Sequence, residues 1–169
     1  MTWDAYNRRK EVLHEVLAIA DRQRGEVNAT KLLAEVARED RAFTSEVELL
    51  LDAHMVWFQA LSSHMDRTVF LGDGNLESAA INAWQNAAAD MPIIRGLLDA
   101  NVDMPELQDA FVLEHRFLAR AVGTPANHPD LDGLGKRVKE AAFETMVYAP
   151  VIPDNPAGIF SRIREALAA

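Results

Sequence analysis

The sequence predicts an all-α protein, a helical bundle of four to five main helices with a short C-terminal helix after an extended Pro-containing segment. Apolar residues recur with the 3.6-residue period of a helix through most of the chain. Short apolar runs that could form strands, residues 56–58 and 111–113, lie inside longer helical patterns. With 49% hydrophobic and 25% charged residues, the 169-residue chain has the composition of a folded domain with one core.

The first two predicted helices precede the longest one. The first spans residues 4–24 and ends at Gly25, because glycine is the residue type best suited to the left-handed turn that terminates helices. Asn28 is predicted to cap a short second helix that extends through residue 39.

The longest predicted helix covers residues 44–70. Thr44 or Ser45 is its predicted cap, and the acidic residues that follow favour the first turn, where they complement the helix dipole. After a break rich in glycine, Asn75 is predicted to cap a helix over residues 76–90.

Proline marks the starts of the later helices. Pro92 either kinks the preceding helix or restarts it, because proline lacks the backbone N–H donor. Pro105 is predicted to lie near the start of a helix that closes at Gly123. Residues 124–133 are predicted to form a loop, followed by a helix over residues 135–148.

The C-terminal region is predicted to be distinct from the bundle. Residues 1–149 form the predicted helical domain, and residues 150–169 form an arm that packs on the same chain or on a neighbouring one. After an extended segment with two prolines, Pro156 starts a short helix with four apolar residues on one side: Ile159, Phe160, Ile163 and Leu167.

The charge of the chain narrows the classes of partner. With 26 acidic and 17 basic residues the net charge is −9, which opposes binding to nucleic acid or to an anionic membrane. The one dense basic cluster, residues 8–10, belongs to an amphipathic helix and is interpreted as a solvated face. A helix-turn-helix DNA-binding protein is a weaker hypothesis, because residues 30–39 carry as many acidic as basic side chains.

Cysteine is absent, which excludes disulfides, thiol nucleophiles, iron–sulfur clusters and cysteine-ligated zinc. The sequence shows no apolar run typical of a signal peptide or of a membrane span. We therefore expect the protein in the cytoplasm.

Two ionisable residues fall on predicted buried faces. His54 lies in the middle of the apolar arc of the longest helix, which consists of Val47, Leu50, Leu51, Trp57, Phe58, Leu61, Met65 and Val69. Glu114 is central in the arc of a later helix, formed by Leu107, Ala110, Phe111, Phe117, Leu118, Ala121 and Val122. A buried carboxylate needs a donor, a cation or a proton, and His54 could serve as its partner.

These two residues allow two interpretations. One is a structural hydrogen bond between a core histidine and a core glutamate. The other is a metal site or an acid–base pair in a cavity of the bundle, with Asp90 and His64 as the nearest additional metal ligands. Asp90 lies at the edge of its helix's apolar arc and His64 on the flank of its own.

Other catalytic motifs are weaker. Glu11-x-x-His14 matches a di-iron ligand pattern, but both residues point away from the side formed by Val12, Leu13 and Val16. No Gly-x-Ser-x-Gly motif is present, and the segment at residues 72–75 lacks the lysine of a phosphate-binding loop.

We therefore expect a non-catalytic interaction or regulatory protein, with a protein partner or self-association through residues 150–169. The alternative is a metal- or small-ligand-binding bundle, possibly an enzyme, with its polar site at His54 and Glu114.

Overall fold

The computed structural model describes residues 3–23, 42–71 and 74–148. These residues form six helices and no strand, which confirms the all-α prediction. The helices are α1 (Trp3–Gln23), α2 (Glu46–Leu71), α3 (Leu76–Asp90), α4 (Pro92–Asp99), α5 (Gln108–Ala121) and α6 (Leu131–Tyr148). The helix predicted over residues 28–39 and the C-terminal segment 150–169 lie outside the described residues.

The predicted helix starts are set by local hydrogen bonds. At the start of α2, Ser45 Oγ accepts from the Glu48 backbone N–H at 3.2 Å, and the Glu48 carboxylate accepts from the Thr44 N–H at 2.8 Å. Hydrogen bonds from the Thr44 backbone and side chain to the Glu48 carboxylate are the main reason that the pKa of Glu48 is lowered. Asn75 Oδ1 accepts from the Ser78 N–H at 3.1 Å, so Asn75 caps α3 as predicted.

Pro92 restarts the chain as a separate helix. Met91 leaves the helical region with φ −129° and ψ 54°, and α4 begins at Pro92. Pro105 likewise begins a 3₁₀ turn, Pro105–Leu107, that leads directly into α5. The break at Pro92 matters for the site because it gives α4 its own direction.

The start predicted for α6 was wrong by four residues. The helix begins at Leu131, so residues 131–133, predicted as loop, are helical. Two glycines in the first turns, Gly133 and Gly135, masked the helical pattern because glycine is a poor helix former. A Cβ on Gly135 would collide with the backbone carbonyl of His115, so glycine is needed here for α5 and α6 to approach closely.

Four helices, α2, α3, α5 and α6, make the most extensive contacts, while α1 and α4 flank them. α5 packs mainly on α6 and α2 mainly on α3. The largest fully buried apolar side chains are Val12, Leu49, Leu50, Trp57, Leu61, Trp84, Leu97, Leu98, Leu107 and Leu118.

The predicted buried faces hold for most residues. The α1 face around Val12, Leu13 and Val16 is buried, and Glu11 and His14 are exposed. On α2 the buried arc is narrower than predicted, because Leu51 and Val69 are exposed. Both lie about 100° around the helix from Leu50, at the edge of the arc.

Among the described residues, no helix combines the length and apolar character needed to cross a membrane.

Candidate functional site

Glu114 is fully buried on α5 and is surrounded by nitrogen atoms. Trp84 Nε1 donates a hydrogen bond to Glu114 Oε1 at 3.1 Å. Arg95 Nη1 lies 3.5 Å from the same oxygen, and His54 Nε2 lies 3.6 Å from Glu114 Oε2. The buried pair predicted from the helix phases of His54 and Glu114 is therefore present, with two partners that the sequence did not predict.

We name six residues on five helices the Glu114 cluster. They are His54 and Trp57 on α2, Trp84 on α3, Arg95 on α4, Glu114 on α5 and Lys139 on α6. Because each of these helices contributes a side chain to one location, the cluster links every helix of the described structure except α1.

Arg95 is a buried cation with both aromatic and acidic neighbours. Its Cζ atom lies 4.7 Å from the Trp57 ring centroid and 5.7 Å from that of Trp84. Its Nη2 atom donates to Asp99 Oδ1 at 2.8 Å, one turn further along α4. The aromatic faces and the two carboxylates together compensate for the loss of hydration of the guanidinium group.

Neighbouring charges keep Glu114 ionised. Burial alone would raise the pKa of Glu114, but His54, the Arg95 and Lys139 charges and the Trp84 N–H together lower it to about 2. Burial and repulsion from Arg95 lower the pKa of Lys139, which Glu114 and Asp99 partly oppose. Two acidic and two basic groups therefore balance one another in this region.

Five polar atoms of the cluster are buried and make no hydrogen bond to a described residue. They are His54 Nε2, Trp57 Nε1, Arg95 Nε, Arg95 Nη1 and Glu114 Oε2. Two of them, His54 Nε2 and Glu114 Oε2, face each other at 3.6 Å, slightly beyond good hydrogen-bond distance, while Arg95 Nη1 lies 3.5 Å from the other Glu114 oxygen. A small polar molecule beside these atoms would form hydrogen bonds with more than one of them.

The four residues predicted as metal ligands form two separate pairs. His54 pairs with Glu114, whereas His64 Nε2 lies 2.9 Å from Asp90 Oδ2. His54 and His64 are ten residues apart on α2, a rise of about 15 Å. The described residues contain no group of three or more histidine, cysteine, aspartate or glutamate side chains that could hold a metal ion.

Two other histidine–carboxylate pairs join helices. His64 joins α2 to Asp90 of α3, and His115 Nδ1 lies 2.8 Å from Asp132 Oδ1, joining α5 to α6. In both pairs the imidazole is nearly buried and the carboxylate is exposed: 11% against 65% for His64 and Asp90. A catalytic dyad has the opposite arrangement, with a buried carboxylate that orients an accessible imidazole.

The sequence missed Arg95 and Lys139. Arg95 lies in a helix of only eight residues between two breaks, where an apolar period is hard to establish, and arginine is usually solvated. Trp84 of α3 is buried, but nothing in the sequence identifies the partner of its indole N–H.

A second region carries apolar residues on the outside. Met55 of α2 and Leu113 of α5 are 60% and 61% exposed. Met55 is three residues before Phe58, and Leu113 is four residues before Phe117, so each lies beside a phenylalanine on its helix surface. The two half-buried phenylalanine rings contact each other, with centroids 5.1 Å apart.

We name this region, with the exposed Leu51 one turn before Met55, the Met55 surface. It consists of Leu51, Met55, Phe58, Leu113 and Phe117. Beside it, a groove of about 430 Å³ between α1 and α2 is lined by Arg9, Lys10, Leu13, His14, Asp52, Met55, Val56 and Gln59.

The charges around the Met55 surface are mainly basic. Lys10 lies across the groove from Met55, and Arg116 and Arg120 are exposed one turn after Leu113 and Phe117. The acids are Asp109, exposed one turn before Leu113, and Asp52 and Glu48 of α2, which lie 2.8 and 3.8 Å from Arg9. This rim therefore contrasts with the net charge of −9 of the whole chain.

No protein-family model matches this chain, and neither the curated proteins nor the solved structures include a significant match to it.

Proposed function

We propose that this chain is a non-catalytic interaction protein that binds an amphipathic helix of a protein partner on the Met55 surface. The observation that carries the proposal is the pair of large apolar side chains, Met55 and Leu113, exposed on either side of the Phe58–Phe117 contact. Exposed apolar surface of this kind, rimmed by polar residues, is typical of protein-binding sites.

The shape and charge of the region define the partner. A helix that binds a surface between two helices presents apolar anchors at positions i, i+3 or i+4, and i+7. Lys10, Arg116 and Arg120 on the rim favour acidic residues beside those anchors. The net charge of −9 supports a protein partner over a nucleic acid, and the cysteine-free sequence fits a cytoplasmic location.

The Glu114 cluster supports this role indirectly. The 3.6 Å contact between His54 and Glu114 connects α2 to α5, the two helices that carry the Met55 surface. A surface held on connected helices is pre-organised, so little conformational entropy is lost on binding.

A pair of peptides tests the proposal. The first is a labelled 15-residue helical peptide with leucine anchors at i, i+3 and i+7 and glutamates beside them; in the second, lysines replace the glutamates. We expect the acidic peptide to bind with a Kd on the order of 10 μM in fluorescence anisotropy. Its affinity should fall with added salt, and the lysine peptide should bind at least about tenfold more weakly.

Substitutions locate the binding. Met55→Glu and Leu113→Glu should each weaken binding of the acidic peptide about tenfold or more. Val69→Glu is the matched control, because Val69 is also exposed on α2 but lies about 21 Å further along the helix. Equal binding of the two peptides, or equal effects of Met55→Glu and Val69→Glu, would contradict the proposal.

A second candidate function is binding of a small polar molecule within the Glu114 cluster. It is favoured by the five buried polar atoms without hydrogen bonds, three of which are N–H donors of Arg95 and Trp57. The balanced charges favour a neutral ligand. For a metal ion at His54 and Glu114, the Arg95 guanidinium already supplies a positive charge 3.5 Å from the carboxylate and would repel the ion.

Native mass spectrometry with elemental analysis, on protein purified without chelators, tests this second candidate. A stoichiometric bound mass that disappears in Glu114→Gln while helix content is kept would support a ligand site. A chain that carries neither metal nor organic molecule would leave the cluster as a purely structural element.

A further inference from the structure

The last two turns of α6 expose apolar side chains at a different place from the Met55 surface. Phe143 is 52% exposed, and Met146, three residues later on the same side of the helix, is also exposed. We name these two residues the Phe143 face. The face lies just before the C-terminal segment.

The pairing of α5 with α6 locates the Phe143 face in the bundle. Gly135 closely approaches His115, and the Lys139 Nζ atom lies 5.3 Å from the Phe111 ring centroid, so the two helices run antiparallel. One further turn of α6 brings Phe143 level with Leu107, at the start of α5.

Acidic residues outnumber basic ones around the Phe143 face, where Lys139 and the exposed Lys136 are the basic residues on the same side of α6. Four exposed acidic residues lie on α6 and on the chain that leads into α5: Asp103, Glu106, Glu140 and Glu144. The Gln108 side chain holds this chain against α5, because its Nε2 atom donates to the Val102 and Met104 carbonyls at 2.7 and 3.1 Å.

The sequence of residues 156–168 complements this face. Its apolar positions, 159, 160, 163 and 167, lie within an arc of about 100° on a helix. Arg162 and Arg164 lie about 100° to either side of the centre of that arc, and Glu165 lies opposite. The segment therefore offers an apolar stripe between two arginines to an apolar face between acidic residues.

We propose that residues 156–168 dock on the Phe143 face of the same chain. Residues 149–155 can span about 23–25 Å when extended, enough to reverse the chain direction and lay a helix of about 20 Å back along α6. A linker this short gives the segment an effective concentration in the millimolar range, which favours its own chain over a second copy. The proposal does not depend on the Met55 surface.

Crosslinking tests the docking, since the chain contains no cysteine. Met146→Cys with Ile159→Cys introduces two thiols, which a short bis-maleimide can bridge within one chain. Met55→Cys with Ile159→Cys is the control pair. We expect the 146/159 pair to form the intrachain crosslink about tenfold faster than the control pair. Equal rates would overturn the proposal, and so would crosslinks mainly between two chains.

Methionine oxidation tests the same docking with both native methionines in place. Ile163→Asp should release the segment, so the oxidation rate of Met146 should rise severalfold while that of Met55 stays constant. Ser161→Asp, on the opposite side of the predicted helix, should leave both rates unchanged. An unchanged Met146 rate in Ile163→Asp would contradict the proposal, as would an equal rise in Ser161→Asp.

Discussion

The Glu114 cluster and the Met55 surface depart from ordinary protein architecture in opposite ways. In the cluster, charged groups are buried among apolar helices; on the Met55 surface, large apolar side chains face water. Burying the charged groups costs desolvation free energy. The exposed apolar side chains do not contribute the stabilising free energy that they would contribute if buried. The cluster offsets its cost within the chain through internal ion pairs. The Met55 surface has no comparable compensation among the described residues, which is why we propose it as the binding site.

The difference predicts separable effects of mutation. Changes in the Glu114 cluster should lower the free energy of unfolding, because each group compensates another buried group. Changes on the Met55 surface should leave that free energy nearly constant and alter binding.

The largest effect is expected from Glu114→Ala. It removes the carboxylate that faces Arg95 and the acceptor of the Trp84 N–H, and leaves a buried cation with one partner fewer. We expect the free energy of unfolding to fall by about 3–5 kcal/mol in urea denaturation. Glu15→Ala, at an exposed position on α1, is the control and should change it by less than about 0.5 kcal/mol. Similar losses of unfolding free energy in both variants would contradict the proposed contribution of the cluster to stability.

The dependence of the unfolding free energy on pH in the acid range should reveal the contribution of Glu114. Because its pKa is about 2 in the folded protein and has the ordinary value of about 4.5 in the unfolded chain, its contribution to stability is present above pH 4.5 and is lost as the pH falls toward 2. Glu114→Gln should therefore show a weaker dependence of unfolding free energy on pH in this window than the natural chain. Parallel pH profiles would show that folding leaves the pKa of Glu114 unchanged and would contradict this prediction.

The contact between α5 and α6 predicts opposite effects of the same substitution at two glycines. Gly135→Ala would press a methyl group against the His115 carbonyl and should lower the free energy of unfolding by about 1–3 kcal/mol. Gly96→Ala on α4 meets no atom within 4 Å and should raise it by about 0.5–1 kcal/mol. Thermal denaturation of both variants gives the comparison, and a tolerated Gly135→Ala would contradict the close approach.

The smallest effect on stability is expected on the Met55 surface. Met55→Glu and Leu113→Glu replace exposed residues of good helix propensity with another good helix former. The free energy of unfolding should change by less than about 0.5 kcal/mol in urea denaturation. A large loss in either variant would show that these side chains are buried in the folded protein.

The sequence predicted more of the Glu114 cluster than of the Met55 surface. The burial of His54 and Glu114 follows from helix phase alone, because each is centred among apolar neighbours on its own helix. Arg95 and Lys139 required knowledge of how separate helices pack. The exposure of Leu51 contradicts the predicted arc, because an apolar residue at the edge of an arc is compatible with either side until the neighbouring helix is known.

The starts of the helices also divide into those that local sequence signals determine and those that depend on packing between helices. Local signals set the caps at Ser45 and Asn75 and the restart at Pro92, and these positions agree with the prediction. The start of α6 could not be read locally, because Gly135 serves the contact with His115, which is distant in sequence.

The most direct test measures unfolding and peptide binding on the same two variants. We expect Glu114→Gln to lower the free energy of unfolding in urea but, while folded, to bind the acidic peptide within about threefold of the natural chain. We expect Met55→Glu to keep that free energy within about 0.5 kcal/mol and to weaken binding about tenfold or more. Loss of binding in Glu114→Gln without loss of stability, together with unchanged binding in Met55→Glu, would contradict the account and place the binding site in the Glu114 cluster.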